Sequence, residues 1–143
     1  MKGTNTYLER QSVANVAEIY FEQYCQEQNY QCIRFGMDEK KDPIRNFSYI
    51  NPMLRNLPDY LVDTGKELFV VQVKGTKKFK EKEYKMMPEF IQWYSTSKAP
   101  LVYAFCFKDE KPKLVFPEKV MMLYEKSVNQ KWPDGVVYRV LNL

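Results

Sequence analysis

The sequence predicts an α/β fold, a central mixed β-sheet flanked by helices, and three observations carry that reading. Residues 7–28 hold apolar side chains at helical spacing. Two apolar runs, 59–63 and 67–75, are separated by Thr64-Gly65-Lys66. LVYAFCF, at 101–107, is apolar on both of the faces that a strand presents. The resulting order is α-β-β-β-α-β with a further helix and strand, the pattern of a mixed sheet with helices packed on it. A chain of 143 residues with 45% hydrophobic content suits one domain over 1–143.

The first helix is expected over 7–28 because Val13, Val16, Ala17, Tyr20, Phe21, Tyr24 and Cys25 follow the i, i+3, i+4, i+7 pattern. Thr6 with Glu9 resembles a capping box at its start, and Asn29 is the expected terminator. Glu18 falls on the border of the apolar stripe, a position from which a carboxylate can look into a cleft; Glu9 and Glu22 are the acidic residues that could be confused with it. A short strand is expected at 31–35. Residues 36–57 mix charges, two prolines and isolated aromatics without a period, and read as an irregular loop of unassigned role.

The two apolar runs around Thr64-Gly65-Lys66 read as a β-hairpin with a glycine turn. A lysine-rich stretch follows, and MMPEFIQWYSTS then reads as a helix with Pro88 in its first turn. LVYAFCF is expected to be a central strand. KLVFP adds a short strand, EKVMMLYEKSV a helix and GVVYRVL a last strand.

Composition excludes several chemistries. The chain has no histidine, which removes Ser-His-Asp and Cys-His catalysis, histidine-ligated zinc and histidine general bases. Cys25, Cys32 and Cys106 form no CxxC pair; two of them lie in apolar surroundings, and all three read as reduced thiols of the interior. No run approaches the roughly 20 apolar residues of a membrane span. The amino terminus lacks an apolar signal region, so an intracellular, cytoplasmic setting is expected. The net charge is +4, and residues 74–85 carry all of it: six lysines against two glutamates, while the remainder balances at 16 basic and 16 acidic residues. Lys77, Lys78, Lys80, Lys82 and Lys85 are therefore the expected contacts to a polyanion, with a solvated loop as the plain alternative. Among the aromatics, Phe79, Tyr84, Trp93 and Trp132 are the candidates for surface contact.

The second run of the hairpin contains the chemistry. Strand alternation puts Leu68, Val70, Gln72 and Lys74 on one face and Phe69, Val71 and Val73 on the other. Antiparallel pairing brings Asp59 towards the Gln72 end, so a carboxylate, an amide and an ammonium converge at the edge of a core. Charges so placed survive by pairing with one another or with a metal. Asp59, the amide oxygen of Gln72, the carbonyl of Val73 and Glu18 would offer oxygen donors of the kind Mg2+ or Mn2+ accepts, with Lys74 positioned to assist attack on a phosphodiester. A polar strand end bonded to a turn is the structural alternative.

Pro58-Asp59 followed by Gln72-x-Lys74 at the end of the next strand resembles the PD-(D/E)XK nuclease signature, in the QxK variant of Mrr-like restriction endonucleases. The first helix, with Ala17-Glu18 ahead of an apolar restart at Asn29-Tyr30, resembles archaeal Holliday-junction resolvases. The resemblance spans about residues 12 to 116 and rests on four positions. It implies a restriction-endonuclease-like core and Mg2+- or Mn2+-dependent cleavage of nucleic acid, DNA more than RNA. Glu18, Asp59 and Gln72 would be metal ligands and Lys74 a catalytic aid. It also implies a homodimer by analogy, although no interface can be read. Glutamine supplies a neutral oxygen where most members have a charged one, which leaves weaker metal affinity, a single metal in place of two, and loss of activity all open. Asp63, beside the hairpin glycine, reads as solvent-exposed rather than as a substitute. The leading expectation is a structure-selective or weakly sequence-selective nuclease. Behind it stand a nuclease-fold protein without turnover, acting in nucleic-acid binding or assembly as in a phage or mobile element, and a domain whose lysines meet an acidic protein partner.

Overall fold

A computed structural model describes residues 7–34, 58–95 and 98–143 of the chain. Thr6 of the expected capping box, the Phe35 end of the first strand, the segment 36–57 and the side chain of Trp93 lie outside the described residues. The elements are α1 (Tyr7–Glu27), β1 (Gln31–Arg34), β2 (Tyr60–Asp63), β3 (Leu68–Lys74), β4 (Lys78–Lys80), α2 (Glu81–Ser95), β5 (Leu101–Phe105), β6 (Lys113–Val115), α3 (Pro117–Glu125), β7 (Gln130–Lys131) and β8 (Val137–Val140).

A five-stranded sheet runs in the order β1-β2-β3-β5-β6, with β3 and β5 parallel and every other pair antiparallel. It is a mixed sheet, as the sequence predicts. Its β2–β3 hairpin is set by Gly65, whose φ of +91° costs a glycine little, and by Asp63, whose Oδ1 accepts the Gly65 N–H at 2.8 Å. Both faces of the sheet are covered. Ala17, Phe21 and Cys25 of α1 pack on Tyr60, Val62, Val71, Val73, Val102 and Ala104. On the other face Val70, Leu101, Tyr103 and Phe105 meet Phe79, Met87 of α2, Val120 and Tyr124 of α3, and Leu141. All five residues of β5 are buried; burial of a large apolar side chain is worth about 1.5–3 kcal/mol, so the alternating two-sided burial of this strand is a main source of stability.

Asn29 ends α1 as expected, and the geometry says why an asparagine serves. Its φ is +59°. The Asn29 N–H donates to Gln26 O (3.1 Å) and the Tyr30 N–H to Cys25 O (2.8 Å), the two bonds of a Schellman closure, with Tyr30 packed edge-on to Tyr24 at 6.1 Å. Among the described residues no helix is long and apolar enough to cross a membrane. No cysteine is in a disulfide; Cys25 and Cys106 are buried and Cys32 half-buried.

Three expectations are corrected. α2 begins at Glu81, not near Met86, so Pro88 lies inside it rather than in its first turn. Glu81 and Glu83 in that first turn favour the positive end of the helix dipole, while Pro88 removes one hydrogen bond, to the carbonyl of Tyr84. The stretch that reads as a lysine loop contains β4, which joins β8 and β7 in a second, three-stranded sheet. The apolar stripe of α1 is also narrower than its spacing implies: Val13 and Val16 are 41% and 40% exposed, and the buried seam is Ala17, Phe21 and Cys25.

Candidate functional site

The site begins where β2 runs out. Tyr60 pairs with Val71, so one more step of the same register sets Asp59 opposite Gln72 and Pro58 opposite Val73. Val70 N–H donates towards β5, to Pro100 O at 2.9 Å; by alternation, the N–H and carbonyl of Val73 face β2. Pro58 is fully buried there and has no N–H to give that carbonyl, so the ladder stops. The Asp59 side chain takes over the other half of the pairing: its Oδ2 accepts the Val73 N–H at 2.8 Å. The proline-aspartate pair thus places a carboxylate at the end of the sheet, beside a carbonyl that the ladder leaves unmatched.

Burial is the largest influence on Asp59 and pushes its pKa up to about 6; the charge of Glu18 adds to the rise, while the Val73 N–H, Lys74 and Arg34 oppose it. Glu18 reaches this end of the sheet from α1, with its side chain 16% exposed and its Oε1 3.7 Å from Nε of Arg34, the last residue of β1. Glu22, one helical turn on, accepts a short hydrogen bond from the Tyr60 hydroxyl and is committed to the α1–sheet interface.

Lys74 and Gln72 lie on the opposite face of the sheet from α1, as alternation requires, since Val71 and Val73 pack against α1. The Lys74 ammonium is 5.2 Å from the centre of the Phe79 ring and is ion-paired with Glu83 of α2. Tyr103, beside Gln72 on β5, has its hydroxyl pKa raised by burial and then by the charge of Glu83. Gln72 is half-buried. The structure therefore brings Asp59, Glu18 and Val73 to one strand end, with Gln72 opposite Asp59 in the register and Lys74 near enough for its charge to act on the Asp59 carboxyl.

The remaining residues divide. Asp63 serves the hairpin turn, at the far end of β2 from Asp59. Gly75, the residue after β3, serves packing: a Cβ there would stand 2.7 Å from Val13 O and 2.9 Å from Ala17 Cβ, so glycine is what lets α1 cross the end of β3. Of the lysines, Lys77, Lys82 and Lys85 are exposed, Lys85 paired with Glu81 at 3.7 Å. Lys78 and Lys80 are half-buried on β4, with the Lys78 ammonium 5.5 Å from the Tyr138 ring centre and 5.9 Å from that of Trp132. Phe79 and Trp132 are corrected from surface candidates to core, 1% and 3% exposed: β4 turns Phe79 inward, and Trp132, just after β7, stacks on Tyr138 of β8 at 4.3 Å. Tyr84 is half-buried, stacked on Tyr124 at 4.1 Å with its hydroxyl donating to Glu125 at 2.6 Å.

Among the described residues no group of three or more His, Cys, Asp or Glu could hold a metal ion. The donors present are two carboxylates, an amide oxygen and a main-chain carbonyl. That all-oxygen set fits a hard divalent cation such as Mg2+, which is commonly held by one or two carboxylates and completed by water and phosphate. Sequence reading misses Arg34 and Glu83. Glu83 sits in a stretch whose composition reads as a loop, and Arg34 acquires a neighbour only through the β1–β2 register.

Sheet order, the parallel β3–β5 pair and the helices on both faces define a restriction-endonuclease-like α/β fold. A solved structure that shares it is the 1.6 Å structure of Archaeoglobus fulgidus Hjc, a Holliday junction resolvase from an archaeal hyperthermophile: the TM-score is 0.53 at 11% identity, over 90% of this chain and 88% of that chain. At such low identity the likeness establishes the fold. No protein-family model matches the chain and no curated protein matches it.

Proposed function

We propose that the chain is a divalent-metal-dependent nuclease that hydrolyses phosphodiester bonds, with DNA favoured over RNA and little sequence selectivity. The observation that carries the reading is the Asp59 carboxyl, pinned by the Val73 N–H at 2.8 Å with Glu18 close enough to raise its pKa. The shared fold with a protein named as a Holliday junction resolvase supports it.

Glu18, Asp59, the Gln72 amide oxygen and the Val73 carbonyl would hold Mg2+ or Mn2+. Such an ion supplies Lewis-acid stabilisation of the phosphoryl oxygens and makes hydroxide less costly to form near neutral pH. Asp59 contributes its charge above about pH 6, where it is ionised. Lys74 donates to charge developing on the phosphate, and Glu83 keeps its ammonium in place until substrate arrives. Exposed Lys77, Lys82 and Lys85 hold the backbone, contacts that position without reading sequence. Two copies acting together would cut both strands.

The test is cleavage of a plasmid and of a four-way branched duplex with Mg2+ or Mn2+, by the full chain and by Asp59→Asn and Lys74→Ala, each checked for folding by circular dichroism. Cleavage that requires the metal and disappears in both folded variants is expected. Failure of the unaltered chain on both substrates, or full activity in either variant, overturns the proposal. One observation favours a second reading, a nuclease-fold protein that binds nucleic acid without turnover: Gln72 is neutral and Lys74 is already engaged by Glu83. Salt-sensitive binding that survives Asp59→Asn, with no cleavage by any form, would select it.

A further inference from the structure

We propose that Arg34 is an internal cation that closes the candidate site in the metal-free protein and competes with the divalent ion for Glu18. The inference rests on the metal-dependent reading above and assigns a regulator to the same site. Arg34 stands opposite Tyr60, which makes Asp59 its diagonal neighbour across the β1–β2 ladder. Cys32 and Arg34 alternate onto the face shared with Tyr60 and Val62, the face that α1 covers, and there Arg34 Nε lies 3.7 Å from Glu18 Oε1.

Glu18 and Asp59 repel each other at a half-buried strand end, and each needs positive charge nearby. Lys74 and Arg34 are the described cations that act on Asp59. Lys74 is ion-paired with Glu83. Arg34 is therefore a positive charge set directly against Glu18 at this end of the sheet. The pair is built to be released. It meets Glu18 through Nε at 3.7 Å, not in a two-toothed bridge, and Arg34 keeps 31% of its side chain exposed. A divalent ion that takes Glu18 replaces a weak, partly solvated partner with a stronger one, and the arginine has open solvent to swing into.

The test is Mn2+ affinity, read from the paramagnetic resonance of free Mn2+, for the full chain and for Arg34→Met, together with the melting temperature of each with and without Mn2+. Loss of the competitor predicts about three- to tenfold tighter Mn2+ binding in Arg34→Met, the scale of one partly exposed ion pair. The variant should melt below the unaltered chain without metal and gain more from added Mn2+. A folded Arg34→Met with equal or weaker Mn2+ affinity overturns the proposal and leaves Arg34 as a brace for Glu18. If both proteins fold and neither binds Mn2+, the metal-dependent reading falls and takes this one with it; if the unaltered chain binds Mn2+ and the variant binds no better, only the present inference falls. Arg34→Gln replaces Arg34→Met should the latter not fold, with the same expectation.

Discussion

Pro58 lacks an N–H and Asp59 has two carboxylate oxygens, and between them they decide what the end of β2 presents. One Asp59 oxygen is spent on the Val73 N–H, and the other remains for a cation. The cost is a buried charge. A carboxyl that titrates near 3.8 when unfolded and near 6 when folded binds its proton more tightly in the native state. Stability from this group is therefore complete below about pH 4 and declines as the pH rises to about 6, by on the order of 3 kcal/mol. Asp59→Asn keeps an oxygen for the Val73 N–H and removes the charge. In EDTA the variant should lack this decline and exceed the unaltered chain in urea midpoint above pH 6. Added Mg2+ should restore the unaltered chain and leave the variant unmoved. A parallel pH profile for the two proteins would show that the Asp59 carboxyl is solvated. Asp59 is legible in the sequence because proline and aspartate each have one distinctive consequence at a strand end. Arg34 and Glu83 are not, since a charged residue in a short strand or a polar run has no local signature until register and packing give it a partner.

At the level of elements, α1 and β3 are held at one close approach. Ala17 and Gly75 are small where the helix passes the end of the strand, and the Gly75 Cα faces the Val13 carbonyl with no room for a methyl group. Gly75→Ala forces a Cβ to 2.7 Å from backbone and 2.9 Å from two side-chain carbons, so α1 must move. The expected cost is about 1–3 kcal/mol in urea unfolding. Because Glu18 follows Ala17, Mn2+ affinity should fall in the same variant; unchanged affinity at reduced stability would separate helix packing from site geometry. The elements that can be read from sequence are those whose burial has a period. α1, the β2–β3 hairpin and β5 each repeat apolar residues over at least five positions or frame a glycine turn. β4 cannot be read, because a three-residue strand with one buried side chain, Phe79 between two lysines, carries no period. The start of α2 escapes for a related reason: its first turn is Glu81-Lys82-Glu83-Tyr84, in which helix chemistry looks like solvated charge.

For the molecule as a whole, the order of elements suffices to predict the sheet and its helical layers, whereas the charge concentrated between residues 74 and 85 meets different partners once folded. Strand β4 and helix α2 divide it. Lys74 turns to Glu83, Lys78 lies against Tyr138 and Trp132, and Lys77, Lys82 and Lys85 reach solvent. Two kinds of lysine follow. Lys77→Ala and Lys82→Ala should weaken binding to nucleic acid by a similar factor on every sequence. Each should also lower the dependence of log K on log salt by about 0.9 for every duplex phosphate it ceases to neutralise, with melting unaltered in Lys82→Ala and slightly lowered in Lys77→Ala, whose ammonium lies 5.9 Å from the Phe107 ring centre. Lys85→Ala should behave likewise, because an exposed ion pair with Glu81 holds its ammonium by at most about 1 kcal/mol. Lys78→Ala should instead lower the melting temperature, through loss of an ammonium over two rings worth about 0.5–1 kcal/mol, and leave the salt dependence close to that of the unaltered chain. Fluorescence anisotropy of a labelled duplex across a salt series, set beside thermal melts, distinguishes the two kinds. Should Lys78→Ala reduce the salt slope as much as Lys82→Ala, the second sheet would itself be a phosphate-binding surface, and the lysines would act as the continuous patch that the linear sequence first implies.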